Sequence, residues 1–478
     1  MNIILKISTI IFVLIYTSFL FGQEHYKIRG KNNSDSDNLV WPAKWFNDKK
    51  SAFSFSFDDG IKSQYENAVP ILNQYNFKGT FYVIPNYLDG SWRYGTWPMF
   101  ISMALEGHEI GSHSMNHYHM QDLEVGDTTQ PGTILYELYQ SKKLIEQKID
   151  TPKCITFAYP YAEHNSLIDS LTSLFYESAR ANGDMVNSYS LSEEQLYKLS
   201  SFEVRFSEPR TTRDDDLDEL DSLKNWINSS ITEEGWGILL AHEVVPFDSI
   251  DGSLWYPYSI QWFTQLCEWV NNKSDNDEIW VGTVADVTIY LKERNNFHYN
   301  VLQYDSSQIQ LEVDDSLNDE IYNHSLTIFV KVPDEWNYAA LLVQNEVRDT
   351  VYVSTTDSGQ VVMANVFPGV NQISLYKITP TTGIDDDSPL VNKFELFPNY
   401  PNPFNPSTTI RYTIAGEHHV KLIIFDLLGN EIATLVNEEE NGGSYSVNFV
   451  ATNLASGVYI YSLRVDEHII NRKMTLIK

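Results

Sequence analysis

Apolar and polar positions change rhythm twice along this chain, and each change marks one kind of architecture giving way to another. From about Trp45 to Arg294, short apolar runs alternate with longer stretches patterned at helical spacing. Ala52–Phe57, Gly79–Ile84, Ile155–Ala158, Gly237–Leu240 and Ile279–Thr283 read as strands, with helices such as Tyr65–Tyr75 and Tyr136–Ile149 between them. Strands separated by helices pair in parallel, because the chain crosses over before it pairs again. A stretch of roughly 250 residues built this way predicts an α/β unit of barrel type, with any site at the C-terminal ends of its strands.

From Asn296 to Ile378 a period of two takes over, as in Ile309/Leu311/Val313 and Leu326/Ile328/Val330/Val332. That alternation predicts half-buried antiparallel strands and a small β-sandwich. Thr379–Leu390, with Pro380, Gly383 and Asp385–Asp387, has the composition of a linker. Pro398, Pro401, Pro403 and Pro406 then hold the chain extended and outside any central strand. Alternating runs at Thr409–Ile414, Val420–Phe425, Tyr445–Phe449 and Val458–Val465 predict a third, all-β unit. The fold class expected is α/β, a barrel followed by two small all-β sandwiches.

The N-terminus carries Lys6 as its only early charge, then an apolar run from Ile7 to Phe21 and the small Gly22. This is the pattern of a cleaved signal peptide, the run being short for a membrane span of ~20 residues. The expected layout is therefore a signal peptide over 1–22, an N-terminal segment over 23–44, the barrel over 45–295, a sandwich over 296–378, a linker over 379–393 and the last β-domain over 394–478.

Composition narrows the partners. With 64 acidic and 33 basic residues the net charge is −31, a field that repels nucleic acid and anionic membrane surfaces. A neutral or cationic glycan is compatible with it. Aromatic content is 13%, with 29 Tyr and 11 Trp; ring faces suit sugars, although most large rings fill cores. Cys154 and Cys267 are the only cysteines, so no disulfide framework is present, and their pairing stays open.

Four segments carry chemistry, each at the end of a predicted strand. Phe55-Ser-Phe-Asp58-Asp59-Gly60 sets two carboxylates side by side, and neighbouring residues diverge, so the two acids can do different work. His113-Ser-Met-Asn-His117 carries imidazoles at i and i+4, which on one face of a helical turn close on a single metal. Phe157-Ala-Tyr-Pro160-Tyr161-Ala162 offers a rigid turn whose Tyr161 N–H can face a cleft as an anion donor. His242 ends the run Gly237–Ala241. Singly, each is as readily a turn, a packing pair or a structural histidine. Their convergence on strand ends of one α/β unit argues for a site.

This ordered set, spread over Ala52 to Arg294 with Gly79-Thr-Phe-Tyr-Val83 between, resembles the polysaccharide deacetylases of NodB-homology type, carbohydrate esterase family 4. The resemblance implies a distorted (β/α) barrel with fewer than eight regular strands. It also implies that Asp59, His113 and His117 hold a divalent metal, usually zinc, with cobalt or nickel as alternatives. Asp58 would be the general base, the Tyr161 N–H an oxyanion donor and a protonated His242 the acid for the leaving amine. Three departures stand out: Ala158 where the family often has an arginine bracing the base, no clear acidic and tryptophan-bearing segment, and Ala162 in place of glycine. Arg180 is the expected substitute brace, with Arg205 second, and Glu203 the expected partner of His242.

The tail resembles another family. Tyr400-Pro-Asn-Pro-Phe-Asn-Pro-Ser407, Ile424-Phe-Asp-Leu-Leu-Gly-Asn430, Gly457-Val-Tyr and Arg472–Lys478 look like the type A C-terminal sorting domain of the type IX (Por) secretion system. That implies passage through the periplasm, recognition by the type IX machinery, and release or attachment at the outer-membrane surface. The expected function is metal-dependent deacetylation of an acetylated polysaccharide, N-acetyl before O-acetyl. Its rivals are a catalytically silent glycan-binding surface protein and a related hydrolase of non-carbohydrate C–N amides.

Overall fold

The computed structural model describes residues 39–478 apart from 150–152, 205–212, 251–253, 337–338, 345–346, 357–358, 370–371, 379–394 and short gaps after 396. The expected signal peptide and linker, Arg205, Pro398, Pro401 and Pro403 thus fall outside the described residues.

The first unit is a parallel sheet curled into a distorted barrel. Its strands are β1 (Ser51–Phe57), β2 (Thr80–Val83), β3 (Glu109–Ser112), β4 (Thr156–Ala158), β5 (Ser178–Arg180), β6 (Phe202–Glu203), β7 (Trp236–Ala241) and β8 (Ile279–Val281). They lie in the order β5-β4-β3-β2-β1-β7-β6, with β8 pairing the start of β1. The ring closes through a short irregular segment: Leu199 bridges to Arg180 on one side, and Phe202–Glu203 pairs with Leu239–Leu240 on the other.

β1 shows how the sequence builds this sheet. Its odd positions Phe53, Phe55 and Phe57 face outward into a cluster with Leu220, Leu223, Phe263 and Leu266 of the covering helices. Each buried ring contributes roughly 1.5–3 kcal/mol. Ser54 and Ser56 take the other face and bond inside the sheet: the Trp236 indole N–H donates to Ser54 Oγ at 3.0 Å, and Ser56 Oγ donates to Leu239 O at 2.7 Å. Small polar residues fit the narrow interior, and the parity they set carries on to Asp58.

Val40–Pro42 does not pair with the barrel but is the edge strand of the second unit, antiparallel to Leu326–Lys331. In that unit Val347–Thr356 pairs through its first half with Ala339–Gln344 and through its second with Gly359–Gln360 and beyond, so one long strand serves both layers of the sandwich. Its core is continuous with the lower end of the barrel: Ile309, Leu311, Val313, Ile328 and Val330 share a cluster with Trp45, Trp236, Trp280 and Tyr290. The third unit packs a three-stranded sheet, in which Ser407–Ile414 is central, on a four-stranded one in the order Glu431–Glu440, His418–Phe425, Gly457–Val465, His468–Leu476. It keeps its own core, including Ile410, Leu422, Tyr461 and Met474. Cys154 and Cys267 are both buried free thiols, which answers the question the sequence left open.

Candidate active site

Every barrel segment singled out above ends at one mouth. Asp58 and Asp59 follow β1, His113 follows β3, Tyr161 follows β4, Arg180 and Glu203 end β5 and β6, and His242 follows β7. Here the backbone leaves the ladder in unusual conformations. Asp59, Ser114, His117, Tyr161 and Ala162 all have φ between 56° and 73°, in the left-handed region that residues with side chains avoid. Such positions cost of order 1–3 kcal/mol each and gather where function requires them.

The histidine pair is not on a helical turn, which corrects the expectation drawn from its spacing. Residues 113–117 form an irregular turn in which Ser114 and His117 reverse the chain, and Ser114 Oγ accepts from the His117 N–H at 2.9 Å. The reversal still brings the rings together, with centroids 4.7 Å apart. Asp59 Oδ1 lies 3.6 Å from the Nε2 of each. The ligand atoms of Asp59, His113 and His117 all fall within 4.8 Å of one another, and this is the one such group among the described residues.

The donor set fits a divalent first-row metal ion. Two imidazoles and a carboxylate leave positions open for water and substrate. His113 Nδ1 bonds the Ala158 carbonyl at 2.8 Å, so Nδ1 carries the proton and the Nε2 lone pair is free to coordinate. Burial, with the neighbouring His113, pushes His117 down to about 3, and burial pushes His113 down as well, so both rings are neutral and ready to coordinate. Burial and then the Asp58 charge push Asp59 up to about 7, a site short of positive charge.

Asp58, buried beside this group, is placed differently. The Arg180 guanidinium donates through Nη2 to both its oxygens, at 2.6 and 2.5 Å, and to Ser201 Oγ through Nη1 at 3.1 Å. Burial works against an ionised Asp58, but Arg180, His113 and His242 outweigh it and hold the carboxyl below its ordinary range. The Tyr82 ring lies under the guanidinium at 5.3 Å. Arg180 therefore stands where a brace absent at Ala158 would be needed.

His242 Nδ1 is 3.5 Å from Glu203 Oε1, and its ring faces the half-exposed Trp255 at 6.3 Å. Burial, opposed by Asp58, pushes its imidazole down to about 4. At neutral pH the resting ring is therefore neutral. Tyr161 stays exposed, stacked on His119 at 3.9 Å and edge-on to His117 at 4.5 Å.

Sequence reasoning missed four residues at this mouth. Arg93 donates to Glu243 at 2.6 Å and ties the loop before Trp97 to the His242 segment. Gln64 and Asn67 reach the same segment. Partners that lie 150 to 178 positions apart leave no local pattern; the one available signal was an acid, Glu243, directly after a strand-end histidine.

A barrel with a metal-ready Asp-His-His group and a second, braced carboxylate defines a hydrolase-type site. Residues 47–177 match the polysaccharide deacetylase family, and residues 399–478 match the secretion system C-terminal sorting domain. The chain thus carries a polysaccharide deacetylase domain of the NodB type and a C-terminal sorting domain. It is 24% identical over 329 residues to a gellan lyase from a Bacillus species, covering 64% of this chain but 12% of that protein's length. Among solved structures it is similar to a polysaccharide deacetylase from Bacillus cereus, at 20% identity and a TM-score of 0.26 over 30% of this chain and 44% of the other. It is also similar to the carbohydrate esterase domain of a multidomain xylanase from a Trinervitermes trinervoides hindgut metagenome, at 16% identity and a TM-score of 0.33 over 50% and 89%. Among the described residues no helix is long and apolar enough to cross a membrane.

Proposed function

We propose that this protein hydrolyses acetyl groups from an extracellular polysaccharide, N-acetyl in preference to O-acetyl, with Asp59, His113 and His117 holding a divalent metal ion, zinc before cobalt or nickel. The observation that carries the reading is the division of labour between adjacent aspartates: one joins two imidazoles, the other is ion-paired to Arg180 within reach of them. A divalent cation at that group supplies Lewis acidity toward an acetyl carbonyl and makes water acidic enough to lose a proton near neutrality.

The remaining work falls to this chain's own side chains. Asp58, kept ionised by Arg180, accepts the proton of the attacking water. The Tyr161 N–H donates toward the developing oxyanion. His242 delivers a proton to the leaving amine; its resting ring is neutral, so the proton it gives is the one Asp58 has taken from the attacking water, passed on to His242 and leaving Asp58 ionised again. Glu203, 3.5 Å from Nδ1, pairs with the ring once it carries the proton. The matched sorting domain supports export by the type IX machinery to the cell surface or beyond, where an acetylated polysaccharide is met.

The test is acetate release from a panel of acetylated glycans by protein stripped of metal and then reloaded with zinc, cobalt or nickel. Release that depends on metal and on an acetylated glycan is expected. No release from any glycan with any of these metals would overturn the reading.

A further inference from the structure

At the mouth, β1 and β7 part company. Their ladder ends where the Asp58 N–H bonds the Ala241 carbonyl at 2.9 Å, and the next carbonyls, those of Asp58 and His242, have no strand partner to meet. Both are taken by one side chain. Gln64, fully buried, donates from Nε2 to Asp58 O at 2.5 Å and to His242 O at 2.9 Å. Asn67 extends the grip by donating from Nδ2 to Val244 O at 2.7 Å.

The two amides come from one π-helical turn, Gln64–Ala68, in which the Val69 N–H bonds back to the Gln64 carbonyl five residues earlier. Turns of this kind are uncommon and cluster at functional sites. We propose that this turn is the positioning element that fixes the His242 acid relative to the Asp58 base, with Gln64 replacing the missing rung between their backbones and Asn67 anchoring the segment beyond. The inference rests on the roles given to Asp58 and His242 above.

The geometry makes the two amides unequal. Gln64 bonds the backbone of both the base and the acid, so losing its N–H groups displaces both. Asn67 bonds only Val244, two residues past His242, so its loss displaces the acid's side of the site alone. An acid is needed when the leaving group is an amine and not when it is an aryl oxide, which departs unprotonated. Misplacement by about 1 Å can cost on the order of 10²-fold.

The experiment compares the zinc-loaded full-length protein with its Gln64→Leu and Asn67→Leu variants on an N-acetylglucosamine oligomer and on 4-nitrophenyl acetate. We expect Gln64→Leu to lower kcat about 100-fold on both substrates, with KM within about twofold and zinc content retained. Asn67→Leu should lower kcat about tenfold more on the amide than on the aryl ester. Nitrogen-15 histidine spectra, with His242 assigned through a His242→Gln variant, should show the His242 ring signal shifted in both variants and the His113 and His117 signals in place. Unchanged kcat in Gln64→Leu, equal losses on both substrates in Asn67→Leu, or an unmoved His242 signal would overturn the proposal. If the parent protein releases acetate from neither substrate, the deacetylase reading falls, while the ring signals still decide whether the turn positions His242.

Discussion

The two ends of the barrel are built on opposite principles. At the mouth, five residues with side chains adopt left-handed backbone conformations, two carboxylates sit side by side, and a buried and a half-buried imidazole crowd within 5 Å of each other. At the other end large rings gather: Trp45 and Trp236 are fully buried, and Trp280 packs on Tyr290 and His324 at 5.3 Å each. That end is sealed by the sandwich, which shares its core. Left-handed residues occur at both ends, since Asn47, Asp48, Glu234 and Asp277 lie just before β1, β7 and β8; what sets the mouth apart is its converging carboxylates and imidazoles, while the other end supplies the packing that holds the barrel in shape. The sharpest way to break the comparison is to alter each end and ask whether the losses stay in kind.

The largest effect is expected at Asp58. Asp58→Asn should keep metal and fold yet lose about 10²–10⁴ in turnover, because an amide cannot accept the water proton. Arg180→Ala should follow with a smaller loss of kcat and with metal content retained, since it removes the cation that keeps Asp58 ionised. Asp59→Asn, by contrast, should lose metal first and recover activity partly at high metal concentration. Metal analysis and acetate release on all three variants separate these outcomes. Full turnover in Asp58→Asn with metal bound would remove the proposed base.

The opposite end should answer with stability. Trp280→Ala leaves a cavity against Phe46, Tyr290 and His324 and should cost about 3–5 kcal/mol. Denaturant unfolding measures that loss, and the folded fraction should bind metal as the parent does. If Trp280→Ala instead lost metal with its stability intact, the two ends would not be separable.

Which parts of this were legible in the sequence follows the same divide. The strands that end in Asp58, Tyr161 and His242 were readable because each is a short apolar run closed by a polar residue, whereas Arg180 and Glu203 enter only as substitutes for family residues lacking here, with no strand predicted before either. The closing segment Leu199–Glu203 was not readable, because two paired residues and one bridge make no periodic pattern. The i, i+4 histidines were found by a spacing that signals a helix, although serine and histidine in left-handed conformations make the turn. In the last unit, Glu431–Glu440 and His468–Leu476 escaped notice because both are outer strands rich in polar residues, where the alternation that marks a core face is weak. The shared core beneath the barrel gathers distant segments, with Trp236, Ile309 and Val330 in one cluster, and no local window contains it.

The seam between barrel and sandwich buries ionisable groups of its own, and Glu293 offers a test of that end by pH. Glu293 is fully buried, accepts from the His324 N–H at 3.0 Å, and is pushed up to about 8 by burial and then by Asp315 and Asp319. Its folded value lies above its ordinary one, so between about pH 4.5 and 8 the folded state holds a proton that the unfolded chain has released. Stability is fully present below that window and falls as pH rises through it. Glu293→Gln should therefore stabilise the protein by about 1–3 kcal/mol at pH 8–9 and change little near pH 4.5. Melting temperatures across that range test the sign, and parallel curves for parent and variant would refute it.

The smallest effect on chemistry is expected from the largest change to the chain. The strand pairings and the buried cluster described for the last β-unit stay within residues 395–476. None of the residues gathered at the barrel mouth belongs to it. Its core of Ile410, Leu422, Tyr461, Met474 and their neighbours is complete without the barrel, and the barrel core is complete without it. Removing residues 394–478 should then leave a folded deacetylase whose acetate release per metal-loaded molecule matches the parent within about twofold, because a unit that shares no core with the site has no route to strain it. What should change is location: cells producing the shortened chain should hold the activity in the periplasm, since the segment matched to the sorting domain is gone. Fractionating culture medium, outer membrane and periplasm and assaying each for acetate release decides the matter. Normal activity outside the cell would show that the tail is not the address, and a folded but inactive truncation would show that the mouth depends on more than the barrel that bears it.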